Sequence, residues 1–178
     1  MISSMTGNDE SNILCKACGL CCTGHLFIWA KLRSSEMDAA RELGLNVFQS
    51  DPRQRGFSQP CPLWKGQCTI YASPHYPRFC HTYKCKLLKQ VLNESTPLVN
   101  ALSVIEQAKA MISELEAILP TSQNPNFRER LVAHLEQLKE SDVLENSDEE
   151  FLRKAQALLF FYKQYFGVTD LIESTEEE

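Results

Sequence analysis

The sequence predicts a mainly α protein: a small irregular cysteine-rich module, with short strands and one short helix, nucleated by metal and followed by a C-terminal three-helix region. Three observations carry this. All eight cysteines lie before residue 86. The stretch from Cys61 to Cys85 is rich in proline and lacks apolar periodicity. From residue 97 onward apolar residues recur at helical spacing.

Met1 to Asn12 is polar and reads as a disordered leader, with none of the apolar core of a signal peptide. No run approaches the roughly 20 apolar residues of a membrane span. The expected location is therefore cytoplasmic, with no membrane association. There thiols stay reduced, and clustered cysteines point to metal binding rather than disulfides. Charge is split along the chain. Residues 1–92 hold eleven Lys+Arg against six Asp+Glu, whereas residues 93–178 hold seven against seventeen. Basic neighbours favour thiolate ligands. No dense basic run marks a nucleic-acid surface.

The expected module spans residues 13–92. Cys15 to Cys22 reads as a cysteine-dense loop. His25 to Lys31 is short and apolar, a strand or the first turn of buried structure. Ser34 or Ser35 caps a short helix, Glu36 to Leu43, ended by the left-handed position at Gly44. Residues 49–60 read as a loop. Cys61 to Cys85 should be irregular, with a short strand at Cys68 to Tyr71. The helical region spans residues 93–168. Ser95 or Thr96 followed by Pro97 starts a helix over 97–119. Asn124-Pro125 starts a second over 126–140. Ser147 with Glu150 forms a capping box for a third over 148–166, ended at Gly167. Residues 169–178 read as an acidic, disordered tail.

Chemistry concentrates in the cysteines. Cys15-x-x-Cys18-x-x-Cys21-Cys22 uses the two-residue spacing that lets sulfurs converge on one ion or one cluster edge, as in zinc knuckles and ferredoxin-type clusters. Gly19 suits the tight path between ligands. Cys61, Cys68, Cys80 and Cys85 form the second set. All eight are candidate metal ligands, divided as two four-cysteine sites or as one cluster with further structural thiols. Adjacent side chains diverge, so Cys21 and Cys22 should serve different sites or faces. A disulfide framework lacks a secretory context, and a thiol oxidoreductase lacks a βαβ setting.

The pattern resembles that of bacterial YkgJ-like cysteine-cluster proteins, a family described by a zinc- or iron-chelating CxxCxxCC domain. The resemblance runs from Cys15 to Cys85, 71 of 178 residues. Cys61-Pro62-Leu63 resembles its Cys-Pro-apolar step, and Cys68-Thr69-Ile70-Tyr71 its Cys-x-Ile-Tyr step. Pro77-Arg78-Phe79-Cys80, with Cys85 following, resembles its closing segment. Tyr76 and His81 stand where the family often has arginine, and Tyr83 where it often has phenylalanine. Arg78 or His81 could replace the missing donors. A flagellin lysine N-methylase carries a similar signature.

Around the cysteines, His81 is a candidate ligand or sulfur donor. His25 and His75 read as non-ligands, and His134 falls on a polar helix face outside the site. Trp29 and Trp64 could cover the site but read first as packing residues, as do Tyr71 and Tyr83. No P-loop, G-x-G-x-x-G, H-E-x-x-H or nucleophile elbow is present. The expected function is an iron–sulfur redox or accessory protein, [4Fe–4S] favoured on the ferredoxin-like spacing and the Cys-Pro step. A zinc-binding interaction module is the alternative, and a cluster-dependent protein lysine methyltransferase a weaker one. Aromatic-rich C-terminal helices (Phe151, Phe160, Phe161, Tyr162, Tyr165, Phe166) should offer a surface to a protein partner.

Overall fold

The computed structural model describes residues 7–50, 53–141 and 143–169. Residues 1–6 of the expected leader and 170–178 of the expected tail lie outside this range. Among the described residues the chain is mainly helical, with one small sheet near its N-terminal end.

The polar N-terminal segment is not all leader: α1 covers Gly7–Cys18. Leu14 is buried in the main core, with Cys18 packed against that core one turn later. That apolar face holds the helix against the elements described below. Gly19, at φ +71°, ends it in the left-handed region. Cys15 and Cys18 therefore lie on a helix, and only Cys21 and Cys22 lie in the turns beyond it.

β1 (Trp29–Lys31), β2 (Val47–Gln49) and β3 (Arg55–Ser58) form an antiparallel sheet in the order β1-β3-β2. Ala30 and Val47 both stand opposite Phe57. The expected loop over 49–60 thus contains β3, and β2 ends inside it at Gln49; their shortness and the turn formers between them hide both strands. A 3₁₀ turn, Ser34–Glu36, leads into α2 (Met37–Glu42), and Gly44 follows at φ +86°. Ala30, Leu32, Met37, Ala40, Leu45 and Phe57 form a minor core beneath this sheet.

The segment after Cys61 is irregular, as its composition predicts. The strand expected at Cys68–Tyr71 is absent; those residues form turns, with one isolated bridge from Cys68 to Trp64. α3 (Arg78–Thr82) and α4 (Lys86–Leu92) close the module.

The three C-terminal helices form where periodicity places them. α5 is Leu98–Glu116, α6 is Phe127–Lys139, and α7 is Asn146–Phe161, continuing as a π-helical turn, Tyr162–Phe166. Their starts shift slightly. Pro97 itself occupies the cap of α5, its carbonyl accepting from Asn100 and Ala101. The box expected at Ser147 and Glu150 sits two residues earlier, where Asp148 accepts from the Glu145 amide at 2.9 Å.

The main core joins α1 and α4 to α5, α6 and α7 through Leu14, Leu87, Ile105, Leu131 and Leu158. Of the six aromatics, Phe151, Tyr162 and Phe166 are buried in it, Phe161 and Tyr165 pack on it, and Phe160 is 68% exposed. Asn126 stitches the helices to the cysteine module. Its side-chain oxygen accepts from the Glu129 amide at 3.0 Å, capping α6. Its amide nitrogen donates to the Gln59 carbonyl at 3.1 Å and the Phe27 carbonyl at 3.4 Å. Arg128 adds a donation to the Leu26 carbonyl.

Candidate metal centre

The last turn of α1 carries Cys15 and Cys18, three residues apart and so on one helix face. After Gly19 the chain reverses, with the Thr23 amide donating to the Gly19 carbonyl at 2.9 Å. Cys21 and Cys22 occupy this reversal. The second cysteine segment is then held beside the first by backbone: the Cys61 amide donates to the Cys22 carbonyl at 2.7 Å. From Cys61 the chain folds tightly back. Trp64 donates to the Cys61 carbonyl at 3.1 Å, and Thr69 donates to the Leu63 carbonyl through both its amide and its hydroxyl.

Cys80 sits within α3. The start of that helix is fixed by Glu36, whose carboxylate accepts from the Arg78 amide at 2.7 Å. Cys85 caps α4, its sulfur accepting from the Leu88 amide at 3.4 Å. A helix N-terminus is a favourable seat for a thiolate.

These segments enclose a cavity of about 100 Å³, several times what one water needs. Cys15, Cys18, Cys21, Cys22, Cys68, Cys80 and Cys85 line it. Cys61 is not in that wall; it packs beside Cys80 on the minor core. Trp64, Tyr71 and Tyr76 complete the wall. The Trp64 indole lies directly over Gly19. Gln59 also lines the cavity, and its side-chain oxygen is buried without a partner.

Burial is the main cause of the thiols' raised pKa values, and their neighbours add to it. Cys18 and Cys80 are each pushed up to about 12, and Cys15 to about 11, with Cys85 contributing at Cys15. Cys15 is exposed as a residue, but its side chain lines the cavity. Cys21, Cys22, Cys61 and Cys85 move in the same direction. The neighbour effects fall into two groups. Cys85 acts on Cys15, Cys18 and Cys21, and Cys15 and Cys18 also act on Cys21. Cys61, Cys68 and Cys80 act on Cys22, which also feels Cys18 and acts on Cys21, and Cys61 and Cys68 act on Cys80. Among the described residues no three His, Cys, Asp or Glu side chains stand where one ion could be held as they are placed. The thiols thus surround shared space without closing a cage at one point.

No histidine lines this cavity. His75 and His81 are exposed on the surface. His134 stacks edge-on against Phe151 at 4.6 Å, so it faces the helical core rather than a polar face. His25 lies 4.9 Å from Phe127 and borders a neighbouring cavity. Trp29 packs on Phe48 in the sheet, 5.6 Å between rings. Tyr83 joins Phe27 and Phe79 in an aromatic cluster that reaches the wall. Sequence reasoning missed Gln59 and misjudged Tyr76, which it read only as a replaced arginine. Their places two residues before Cys61 and four before Cys80 were the available signal.

The donor set suits thiophilic metals. Buried thiols with raised pKa values stay neutral unless a cation takes the proton's place, and soft thiolates bind zinc and iron–sulfur centres alike. Lys109, donating to the Ala17 carbonyl at 2.9 Å, adds positive charge that favours the thiolate of Cys18.

No curated protein and no solved structure matches the chain. A family model does, over residues 14–111, more than half of the chain. The match continues past the last cysteine through α4 and into α5, the elements that share the core with α1. The chain belongs to the CxxCxxCC family, whose defining unit is a zinc- or iron-chelating domain.

Proposed function

We propose that this protein is an iron–sulfur carrier with two thiolate sites, serving as a redox or accessory protein. Cys15, Cys18, Cys21 and Cys85 hold one site and Cys22, Cys61, Cys68 and Cys80 the other. The observation that carries this reading is that seven of the eight thiols line one cavity, while Cys61, its amide bonded to the Cys22 carbonyl, lies beside Cys80 on the minor core. The first group has the ferredoxin-like three-cysteine spacing, completed by a remote cysteine that accepts an N–H at a helix start. Hydrogen bonds to ligating sulfurs raise reduction potential, and the Leu88 amide is placed to supply one. Bound metal supplies electron storage; the chain supplies thiolates, a largely apolar wall and restricted water.

The exposed Phe160 on α7 and Val99 on α5 support reading the helical side as the face offered to a protein partner. Size measurement of the purified protein alone and with co-purifying partners, compared with Phe160→Ser, tests that part.

The metal reading is tested on anaerobically purified protein by metal and sulfide analysis with visible spectroscopy. Iron with acid-labile sulfide and broad visible absorption is expected; zinc without sulfide would replace the iron–sulfur reading by a structural zinc module. Cys18→Ser and Cys61→Ser should each remove roughly half of the metal. Complete loss in both would mean one site in place of two.

A further inference from the structure

A second cavity, of about 340 Å³, adjoins the thiol cavity and shares Cys18, Leu20 and Trp64 with it. Its size falls within the range of small-molecule sites, roughly 300–1,000 Å³. We propose that it binds a small hydroxycarboxylate, with the carboxylate on Lys109 and the hydroxyl on His25.

The polar groups of this cavity come mainly from one face of α5. Lys109, Ser113 and Glu116 follow at i, i+4 and i+7, a row of about 10 Å. Glu116 is already engaged, its carboxylate accepting from Arg130 Nη2 at 2.8 Å. The Lys109 ammonium donates to the Ala17 carbonyl at 2.9 Å and to Glu106 at 3.1 Å. An ammonium has three N–H donors, so one remains for an incoming group. Glu106 has a side chain 72% exposed, and such a pair gives up little when a second anion arrives. The group left for an anionic ligand is therefore Lys109.

His25 supplies a second polar anchor. Its Nδ1 is engaged by the Thr23 hydroxyl at 2.5 Å, and that hydroxyl also lies 3.0 Å from the Gly19 carbonyl. Nε2 is left for a ligand, as donor or acceptor according to the tautomer. Burial lowers the His25 pKa, in keeping with a neutral ring. A hydroxyl, which both donates and accepts, suits this nitrogen in either tautomer. A hydroxyl fits better than an amino group, because an ammonium would be repelled by Lys109 and would find Glu116 already paired. The Trp64 indole, Ile112 and Leu20 provide an apolar wall for a short carbon body.

The test uses Trp64 as a reporter in full-length Trp29→Phe protein, purified with whatever metal it carries. Lactate should give a saturable change in Trp64 fluorescence. Propionate, lacking the hydroxyl, should bind about tenfold more weakly, the scale of one lost neutral hydrogen bond with a half-buried ring nitrogen left open. Isopropanol, lacking the carboxylate, should give no saturable response. Lys109→Met should weaken lactate by at least about tenfold, with an unchanged circular dichroism spectrum. Ser113→Phe should fill the cavity and abolish binding. Absence of saturation with lactate, equal binding of propionate, or lactate binding that survives Lys109→Met would each overturn the proposal. The metal reading stands or falls separately, on metal and sulfide analysis of the same sample.

Discussion

Replacing Gly19 by alanine probes the junction between the cysteine loop and its cover. Gly19 has φ +71°, and a Cβ there would fall on the Trp64 ring, 2.6 Å from Cη2 and 2.8 Å from Cε2. Two costs add. An L-residue in the left-handed region costs roughly 1–2 kcal/mol. Forcing the indole aside in a packed wall costs roughly 1–3 kcal/mol more. The total is about 2–5 kcal/mol, a large share of the stability of a domain this size. Gly44 is the internal control: it has φ +86° but open space around its Cβ, so Gly44→Ala should cost only the backbone part, about 1–2 kcal/mol. Urea unfolding of the two variants measures the difference, and metal content of each reports whether Cys18 and Cys21 have moved with the turn. Trp64→Leu in the Gly19→Ala background should recover part of the loss. Equal destabilisation by Gly19→Ala and Gly44→Ala would refute the idea that Trp64 is seated on the cysteine turn.

Other outcomes follow from single groups. Asn126→Ala should destabilise by about 2–4 kcal/mol, since it removes a helix cap and strands the Gln59 and Phe27 carbonyls, as thermal or urea melting will show. Asn126→Asp should recover only the cap. Tyr162→Phe should be neutral or stabilising by about 1 kcal/mol in metal-free protein, because the hydroxyl is fully buried without a partner. In metal-free protein, Cys18 and Cys80 hold their protons up to about pH 12, whereas the unfolded chain releases them near 9. Their folded pKa values are raised, so the associated stability is complete below about pH 9 and is lost as pH rises toward 12; urea midpoints on either side of pH 9 check the sign. Metal binding displaces those same protons, so chelation by the protein should weaken on acidification, read as metal released against pH.

The helices of the C-terminal half were legible because their apolar residues alone define a face: Ile105, Ile112 and Leu115 on α5 are buried as their spacing requires. The first helix was not legible. Its polar start resembles a leader, and what holds its last turns is packing of Leu14 and Cys18 against α4 and α5, residues 70 to 100 positions away. The segment KLLKQVL of α4 carried Leu87, Leu88 and Val91 at helical spacing, but a run of seven residues is too short for periodicity to decide. Strands β2 and β3 were hidden by their length, with Phe57 the single large side chain that β3 buries. At the site, residue type alone pointed to the eight thiols as candidates, of which seven line the cavity. Their placement was out of reach, because it rests on the hydrogen bond from the Cys61 amide to the Cys22 carbonyl and on Cys85 standing at the head of α4. Gln59 and the wall position of Tyr76 were out of reach for the same reason: one polar residue in a string has little pattern until the fold surrounds it.

Cys21 and Cys22 are joined by one peptide bond, yet they feel different sets of neighbours. On the two-site reading, this turns a short stretch of backbone into a shared hinge pin. Filling the first site fixes the dihedral angles at Cys21, and with them the direction in which the Cys22 side chain leaves the chain. Much of the disorder the second site must lose is then already gone before its ion arrives. Uptake should accordingly be cooperative, with few half-loaded molecules at intermediate metal, as native mass spectrometry would display. Inserting one glycine between Cys21 and Cys22 should leave two weaker sites that fill independently.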